Sequence, residues 1–279
     1  MADPKSPIAE GRSDSYRMEQ LDADAEVARL EAQVRLVTPL ENDFLAAVGL
    51  PPDAWLLDVG CGPGFFSERA ARDLVPQGRV TGVDVDPSLL ALARERLAGS
   101  GLAVDFVEGT GVRLPLPDDS VDASYARFLL QHLTDPGVVL REMVRVTKPG
   151  GTVCLVDTDD GALLLHPPVD GFDELLRASY QAQKARGGDR HVGRKLKALL
   201  LEAGGVDAGV RLYPFTSEQV GAADFLRVTT GFKAGVLGPP HIATERLKQI
   251  SAALEQAQQV PGFFGHAMGY AASARVPRA

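Results

Sequence analysis

Leu56-Leu57-Asp58-Val59-Gly60-Cys61-Gly62-Pro63-Gly64 is the stretch that decides the fold of this chain. Trp55 to Val59 is a short apolar run ended by glycines, which suits a central parallel strand. Glycines placed after a strand and before a helix let the backbone turn sharply and admit a ligand close to the main chain. Their spacing narrows the ligand. A dinucleotide fingerprint reads G-x-G-x-x-G and offers N–H donors to a pyrophosphate at the helix N-terminus. Here the third glycine comes one residue early, Phe65 holds its usual place, and Pro63 supplies no N–H. A pyrophosphate cradle is disfavoured, and an NAD-dependent oxidoreductase with it.

Outward from this turn, residues 54–157 alternate strand and helix. A helix is expected from Phe65 to Leu74, a second strand from Arg79 to Val83, and a helix opened by Asp86-Pro87-Ser88 with Pro87 at its first position. Ala103 to Val107 and Val121 to Tyr125 read as the next strands. A helix follows from Thr134-Asp135-Pro136 to about Thr147, then a turn at Lys148-Pro149-Gly150-Gly151 and a fifth strand from Thr152 to Val156. Strands separated by helices imply right-handed crossovers and a parallel, doubly wound α/β sheet. Residues 1–14 read as a disordered leader and 15–50 as a helical cap that Pro39 splits in two. Residues 51–157 form the core, and 158–279 supply a lid and complete the sheet. In that last part 158–169 is expected as a loop. Phe172 to Tyr180, Leu196 to Leu200 and Leu247 to Leu254 mark helices, Val206 to Tyr213 a strand, Thr216 and Gln219 a capping box, and Tyr270 to Val276 a final edge strand.

Composition limits the partners. The 279 residues carry a net charge of −8, from 29 Lys+Arg against 37 Asp+Glu, without a long basic cluster. Gripping nucleic acid through its phosphates is disfavoured, and so are anionic membrane surfaces. Two cysteines, Cys61 and Cys154, make neither a disulfide framework nor a multi-cysteine zinc site. The start of the chain shows no apolar signal core, and no stretch approaches a membrane span. The expectation is a soluble, cytoplasmic protein, with monomer and homodimer both open.

Asp84 closes the second strand about two dozen residues beyond Gly60, where a carboxylate can accept both hydroxyls of a ribose. Asp86 there is equally explained as a helix cap. Glu108-Gly109-Thr110-Gly111 follows the third strand, where a ligand's base would lie across the carboxyl ends of the sheet. With these residues the chain resembles a known family. LLDVGCGPG at 56–64, GVDVDPSLL at 82–90, LPLPDDSVDASYA at 114–126 and REMVRVTKPGGTV at 141–153 are similar to class I S-adenosylmethionine-dependent methyltransferases. Within them the resemblance points to the small-molecule branch that includes the ubiquinone/menaquinone C-methyltransferases. It implies a Rossmann-like, mostly parallel seven-stranded sheet with a helical N-terminal segment and lid insertions. Asp58, Gly60, Gly62 and Gly64 would line the methionine part of S-adenosylmethionine, Asp84 would take the ribose, and Val85 and Asp86 would flank the adenine. Thr110 stands where the family usually has an aspartate for the adenine amino group, with backbone at Gly111 as the alternative. Arg127 would face the methionine end of the cofactor, or else make an ion pair.

A sulfonium methyl is already activated, so the main task is to hold a nucleophile in line. A base is needed only where the acceptor must lose a proton. His132 and Asp157 are the candidate bases; His166, His191, His241 and His266 read as structural or exposed. Asp157-Thr158-Asp159-Asp160 invites a metal, but Ala126-Arg127 stands where metal-dependent relatives carry an aspartate. No metal is expected, and the carboxylates read as loop caps or partners of Arg127. The Asn/Asp-Pro-Pro-aromatic motif of exocyclic-amine methyltransferases is missing after the fourth strand, and neither cysteine follows a proline. Phe172, Tyr180, Phe215, Phe225, Phe232, Phe263 and Phe264 suggest a largely apolar small-molecule acceptor of natural-product type. The alternative is a cofactor-binding protein on this fold that catalyses a non-methylating, pericyclic reaction or only binds ligand.

Overall fold

The computed structural model describes residues 23–231, 233 and 237–278, so the leader read over 1–14 lies outside the described residues. Strands β1 (Trp55–Val59), β2 (Arg79–Asp84), β3 (Val104–Glu108), β4 (Val121–Arg127) and β5 (Thr147–Thr158) form the parallel part of one sheet. β6 (Leu164–His166), β7 (Val206–Thr216) and β8 (Phe264–Arg275) complete it. The order is β3-β2-β1-β4-β5-β8-β6, with β7 paired to β8, and every contact of β8 is antiparallel. The chain reverses between β1 and β4, which opens a crevice at the carboxyl ends of those strands.

Apolar residues alternate between the two faces of the sheet, as strand geometry demands. Leu56, Tyr125, Cys154 and Val156 pack on one side with α1 (Ala23–Val48), α2 (Phe65–Arg69, continued by a π-turn to Leu74), α5 (Phe172–Ala185), α8 (Ala222–Leu226) and α9 (Thr244–Ala257). Leu57, Val59, Val153 and Leu155 pack on the other with α4 (Pro136–Val146) and α6 (Leu196–Glu202). α3 (Pro87–Leu97) buries Leu89, Leu90 and Ala93, and α7 (Ser217–Val220) is a single turn beside α8. Phe66 stacks on Tyr125 with ring centroids 4.0 Å apart. These clusters are the cores of a doubly wound α/β fold of the Rossmann-like kind.

Four details differ from the sequence reading. The sheet has eight strands rather than seven, because β6 forms inside the segment expected to be a loop. β8 is an interior strand, not an edge: Gly269–Arg275 lies between β5 and β7. Lys148–Gly151 does not interrupt the chain before β5 but bulges within it, since Thr147 pairs with Val121 and Thr152 with Ala123. Pro39 does not split the cap; α1 runs through it. A proline removes one backbone donor, and this helix compensates by packing, with Val37, Leu40 and Phe44 buried around that point.

Candidate active site

The turn from β1 to α2 is built on three left-handed glycines, Gly60, Gly62 and Gly64, with φ of 72°, 51° and 74°. Gly60 and Cys61 donate their N–H groups to the Val83 carbonyl at 2.8 and 3.1 Å, which ties the turn to β2. A Cβ at Gly62 would meet nothing within 4 Å, whereas one at Gly64 would lie 2.7 Å from the Phe106 ring. Gly62 therefore opens the wall of the site, and Gly64 lets the turn pack down. Asp84 crosses the gap. Its Oδ2 accepts from Gly62 N at 2.8 Å and its Oδ1 from Asp86 N at 2.9 Å. Burial raises its pKa above the usual carboxylate value. A carboxylate has about four lone-pair sites, so two remain for a ligand. Asp86 also caps α3, accepting from Ser88 N at 2.8 Å.

Gly60, Cys61, Gly62, Asp84 and Asp86 border a cavity of about 370 Å³. At this end Val85, Leu89, Val112 and Val139 make a narrow apolar slot beside Gly109, Thr110 and Gly111. The Thr110 hydroxyl accepts from Val112 N at 3.4 Å. Asp58 and Gly64 lie behind the turn and do not border the cavity. Asp58 accepts from Ser67 Oγ at 2.6 Å, and burial pushes its carboxyl up to about 7.

Arg127, at the end of β4, borders the middle of the cavity. It meets Glu41 of α1 at 3.4 Å, and Glu41 also pairs with Arg69 and accepts from the Tyr125 hydroxyl. Glu41 is fully buried, so two cations and a phenol satisfy a charge that would otherwise be costly inside the protein. Sequence reading passed over Glu41. Its signal was a carboxylate in the stripe Val37, Leu40, Phe44, Leu45 that faces the core.

Beyond Arg127 the lining is mixed, with Gln131, His132, Asp160 and Lys233 among Leu133, Leu163, Phe215 and Val228. Phe128 takes a left-handed φ of 51°, a strained setting for a side chain with a Cβ, and it leads into the turn Leu130–His132. Asp157 does not border the cavity. It sits under this turn, accepting from Gln131 N at 3.3 Å and Thr158 N at 2.9 Å, and burial lifts its carboxyl to about 7. Gln131 receives Arg190 on its side-chain oxygen at 2.9 Å. Gln183 of α5 reaches both the Gln131 carbonyl, at 2.8 Å, and His132 Nδ1, at 3.2 Å. His132 borders the cavity, and burial first, then Arg190 and Arg29, hold its pKa well below the ordinary value. None of His166, His191, His241 and His266 borders it; His191 stacks on Tyr180.

The acidic run 157–160 has partners other than Arg127. Asp159 pairs with Arg194 and accepts from Gly161 N at 2.9 Å. Asp160 meets buried Lys233 at 3.2 Å. Among the described residues no group of three or more His, Cys, Asp or Glu could hold a metal ion. Of the lid aromatics, Phe215 borders the cavity. Phe172, Phe225 and Phe263 belong to the core, Phe264 is exposed, and Phe232 lies outside the described residues. Arg190, Gln183 and Lys233 come from segments in which no motif marks them.

A doubly wound sheet, a glycine turn and an acidic residue ending the second strand define a Rossmann-like domain with its ligand crevice across the strand ends. Residues 57–155 match the family described as methyltransferase domain. Over that segment the chain is similar to methyltransferase domains, in keeping with the S-adenosylmethionine cofactor that the sequence reading expects. The residues present fit that group. Gly62 leaves its backbone open, Asp84 keeps lone pairs for a ribose, and Val85, Leu89, Val112 and Val139 offer apolar surface to a purine. A demethylmenaquinone methyltransferase of Listeria monocytogenes is 35% identical over 127 residues, 45% of this chain and 51% of that protein. The chain thus spans about half the length of such curated relatives. Among solved structures, phosphoethanolamine N-methyltransferase 2 of Haemonchus contortus, in complex with S-adenosylmethionine, superposes with a TM-score of 0.56 at 19% identity, covering 86% of this chain and 53% of that one. The [4+2]-cyclase SpnF superposes with a TM-score of 0.53 at 23% identity, covering 88% and 95%. Both likenesses are of fold. Among the described residues no helix is long and apolar enough to cross a membrane.

Proposed function

We propose that the protein transfers a methyl group from S-adenosylmethionine to oxygen, nitrogen or carbon of a small organic molecule. One observation carries this reading. One cavity is bordered by Asp84 and Thr110 at one end and by Gln131, His132, Phe215 and Lys233 at the other, so a cofactor and an acceptor would share one cleft. The cofactor, when bound, supplies an activated sulfonium methyl. The protein's share is placement. Gly62 and Asp84 would hold the adenosyl part and Arg127 would take the methionine carboxylate, while Leu36 and Val37 of α1 border the same cavity. Orientation of this kind is worth about 7–11 kcal/mol of a barrier. A net charge of −8 favours a small acceptor over nucleic acid. The quinone methyltransferase relatives favour an aromatic or enolic one.

Calorimetry with S-adenosylhomocysteine and with NAD tests the reading: the first should bind and the second should not, and binding of NAD alone would refute it. Asp84→Ala should weaken S-adenosylhomocysteine by about a hundredfold or more, because two hydrogen bonds to a charged group are lost. Unchanged affinity would remove Asp84 from the ribose. Labelled methyl recovered in a small-molecule extract separates transfer from the non-methylating alternative.

A further inference from the structure

Lys233 is a buried cation, 4% exposed, in the wall of the acceptor end of the cavity, and nothing in the handling of the cofactor calls on it. An ammonium has three N–H donors. Among the described residues two acceptors meet this one: the Thr229 carbonyl, one turn earlier in the chain, and Asp160 Oδ1 at 3.2 Å. The third N–H is left over. Asp160 is unfinished in the complementary sense. Its Oδ1 faces Lys233, while Oδ2 is buried and no donor among the described residues meets it. A buried carboxylate oxygen without a donor is costly, and Asp160 borders the same cavity. Its main chain is held, with N donating to the Arg190 carbonyl at 2.9 Å and the carbonyl accepting from Leu163 N at 3.2 Å. Only the carboxylate is left to turn, about a terminal torsion that is soft.

From this pair, and resting on the methyltransferase reading above, we propose that Lys233 and Asp160 together anchor a neutral hydroxyl group of the acceptor, a phenol or an alcohol. The hydroxyl oxygen accepts from Lys233 Nζ, and its O–H donates to Asp160 Oδ2, which turns to meet it. The pair sets a spare donor beside a spare acceptor and carries no net charge. A hydroxyl matches both. An ether or ketone oxygen satisfies Lys233 alone and leaves Oδ2 bare. A carboxylate is repelled by Asp160, and an ammonium by Lys233. Hydrogen bonds to ionised partners are the strong ones, the more so away from water. Leu163, Phe215 and Val228 border the same end of the cavity and give the carbon frame next to the hydroxyl an apolar seat. No covalent step is asked of the pair; it selects the acceptor and fixes how it lies toward the cofactor.

The test uses full-length protein, with and without S-adenosylhomocysteine, and phenol and anisole as probes at neutral pH. The two rings differ only in the methyl that replaces the hydroxyl proton. By NMR titration phenol should bind about tenfold more tightly than anisole, the range of one hydrogen bond to a charged group. Equal affinities, tighter binding of anisole, or binding of neither overturns the proposal. Asp160→Asn combined with Lys233→Met removes both charges at nearly constant volume, and the preference should fall to about twofold. An undiminished preference would place the hydroxyl elsewhere and overturn the assignment. A second measurement needs no folded double variant. In protein with nitrogen-labelled lysines, phenol but not benzene should shift the Lys233 ammonium signal, the one that Lys233→Arg removes. A signal that does not move overturns the proposal. Failure to bind S-adenosylhomocysteine would count against the functional reading alone, because the phenol preference and the Lys233 signal are read without cofactor as well.

Discussion

Asp157 and Asp58 are carboxyls that the folded protein prefers to keep protonated. Burial raises both from 3.8 to about 7. Between those values the unfolded chain has released protons that the folded one still holds. Stability is therefore highest below the unfolded pKa and falls as pH rises through the folded one. Asp157→Asn removes one of the two groups while leaving an oxygen to accept from Gln131 N. Urea unfolding across this window should give a shallower pH slope for the variant, and a shallower one again when Asp58→Asn is added. An unchanged slope would mean that Asp157 is ionised within the fold. The same residues show where sequence reading stops. The glycines and Asp84 were legible because a backbone turn and a strand end impose their demand locally. Asp157 was visible as a carboxylate at a strand end, but its target, the main chain of residues 130–132, comes from another element. Gln183 and Lys233 were silent, since their meaning lies in partners 52 and 73 residues away (Gln131 and Asp160).

Among the elements, the parallel strands announced themselves as apolar runs stopped by glycine, and their helices by Asp-Pro caps. β8 did not. Phe264–Arg275 is rich in glycine and alanine, which have little strand preference of their own, and it becomes a strand because β5 and β7 both pair with it. Small residues are what that position requires. A Cβ at Gly269 would lie 2.6 Å from Leu40 of α1 and 2.6 Å from the Phe215 ring of β7. Gly269→Ala should cost about 1–3 kcal/mol, the usual price of overpacking, read from the denaturation midpoint at constant slope. A neutral effect would show that α1 can lift from the sheet without loss. β6, three residues long, has no sequence pattern that could distinguish it from a loop; it exists because Phe264–His266 extends beyond the end of β5.

At the scale of the whole molecule, the site is a seam between two parts: the carboxyl edge of the sheet, and a cover in which α1 is the longest described element. Arg29, Leu30, Gln33, Leu36 and Val37 of α1 all border the cavity, and Glu41 of the same helix is tied to Arg69 and Arg127. A ligand in the adenosyl slot therefore touches both parts and should hold them together. S-adenosylhomocysteine at a hundred times its Kd should stabilise the protein by about 2.7 kcal/mol, which for a chain of this size is a rise of roughly 5 °C in Tm. The distribution of that gain is the sharper prediction. Since α1 closes the cavity, its amides should exchange more slowly with solvent when the ligand is bound, by an amount comparable to those of the glycine turn. A thermal shift accompanied by unchanged exchange in α1 would mean that the ligand is held by the sheet alone and that the cover closes only over the acceptor.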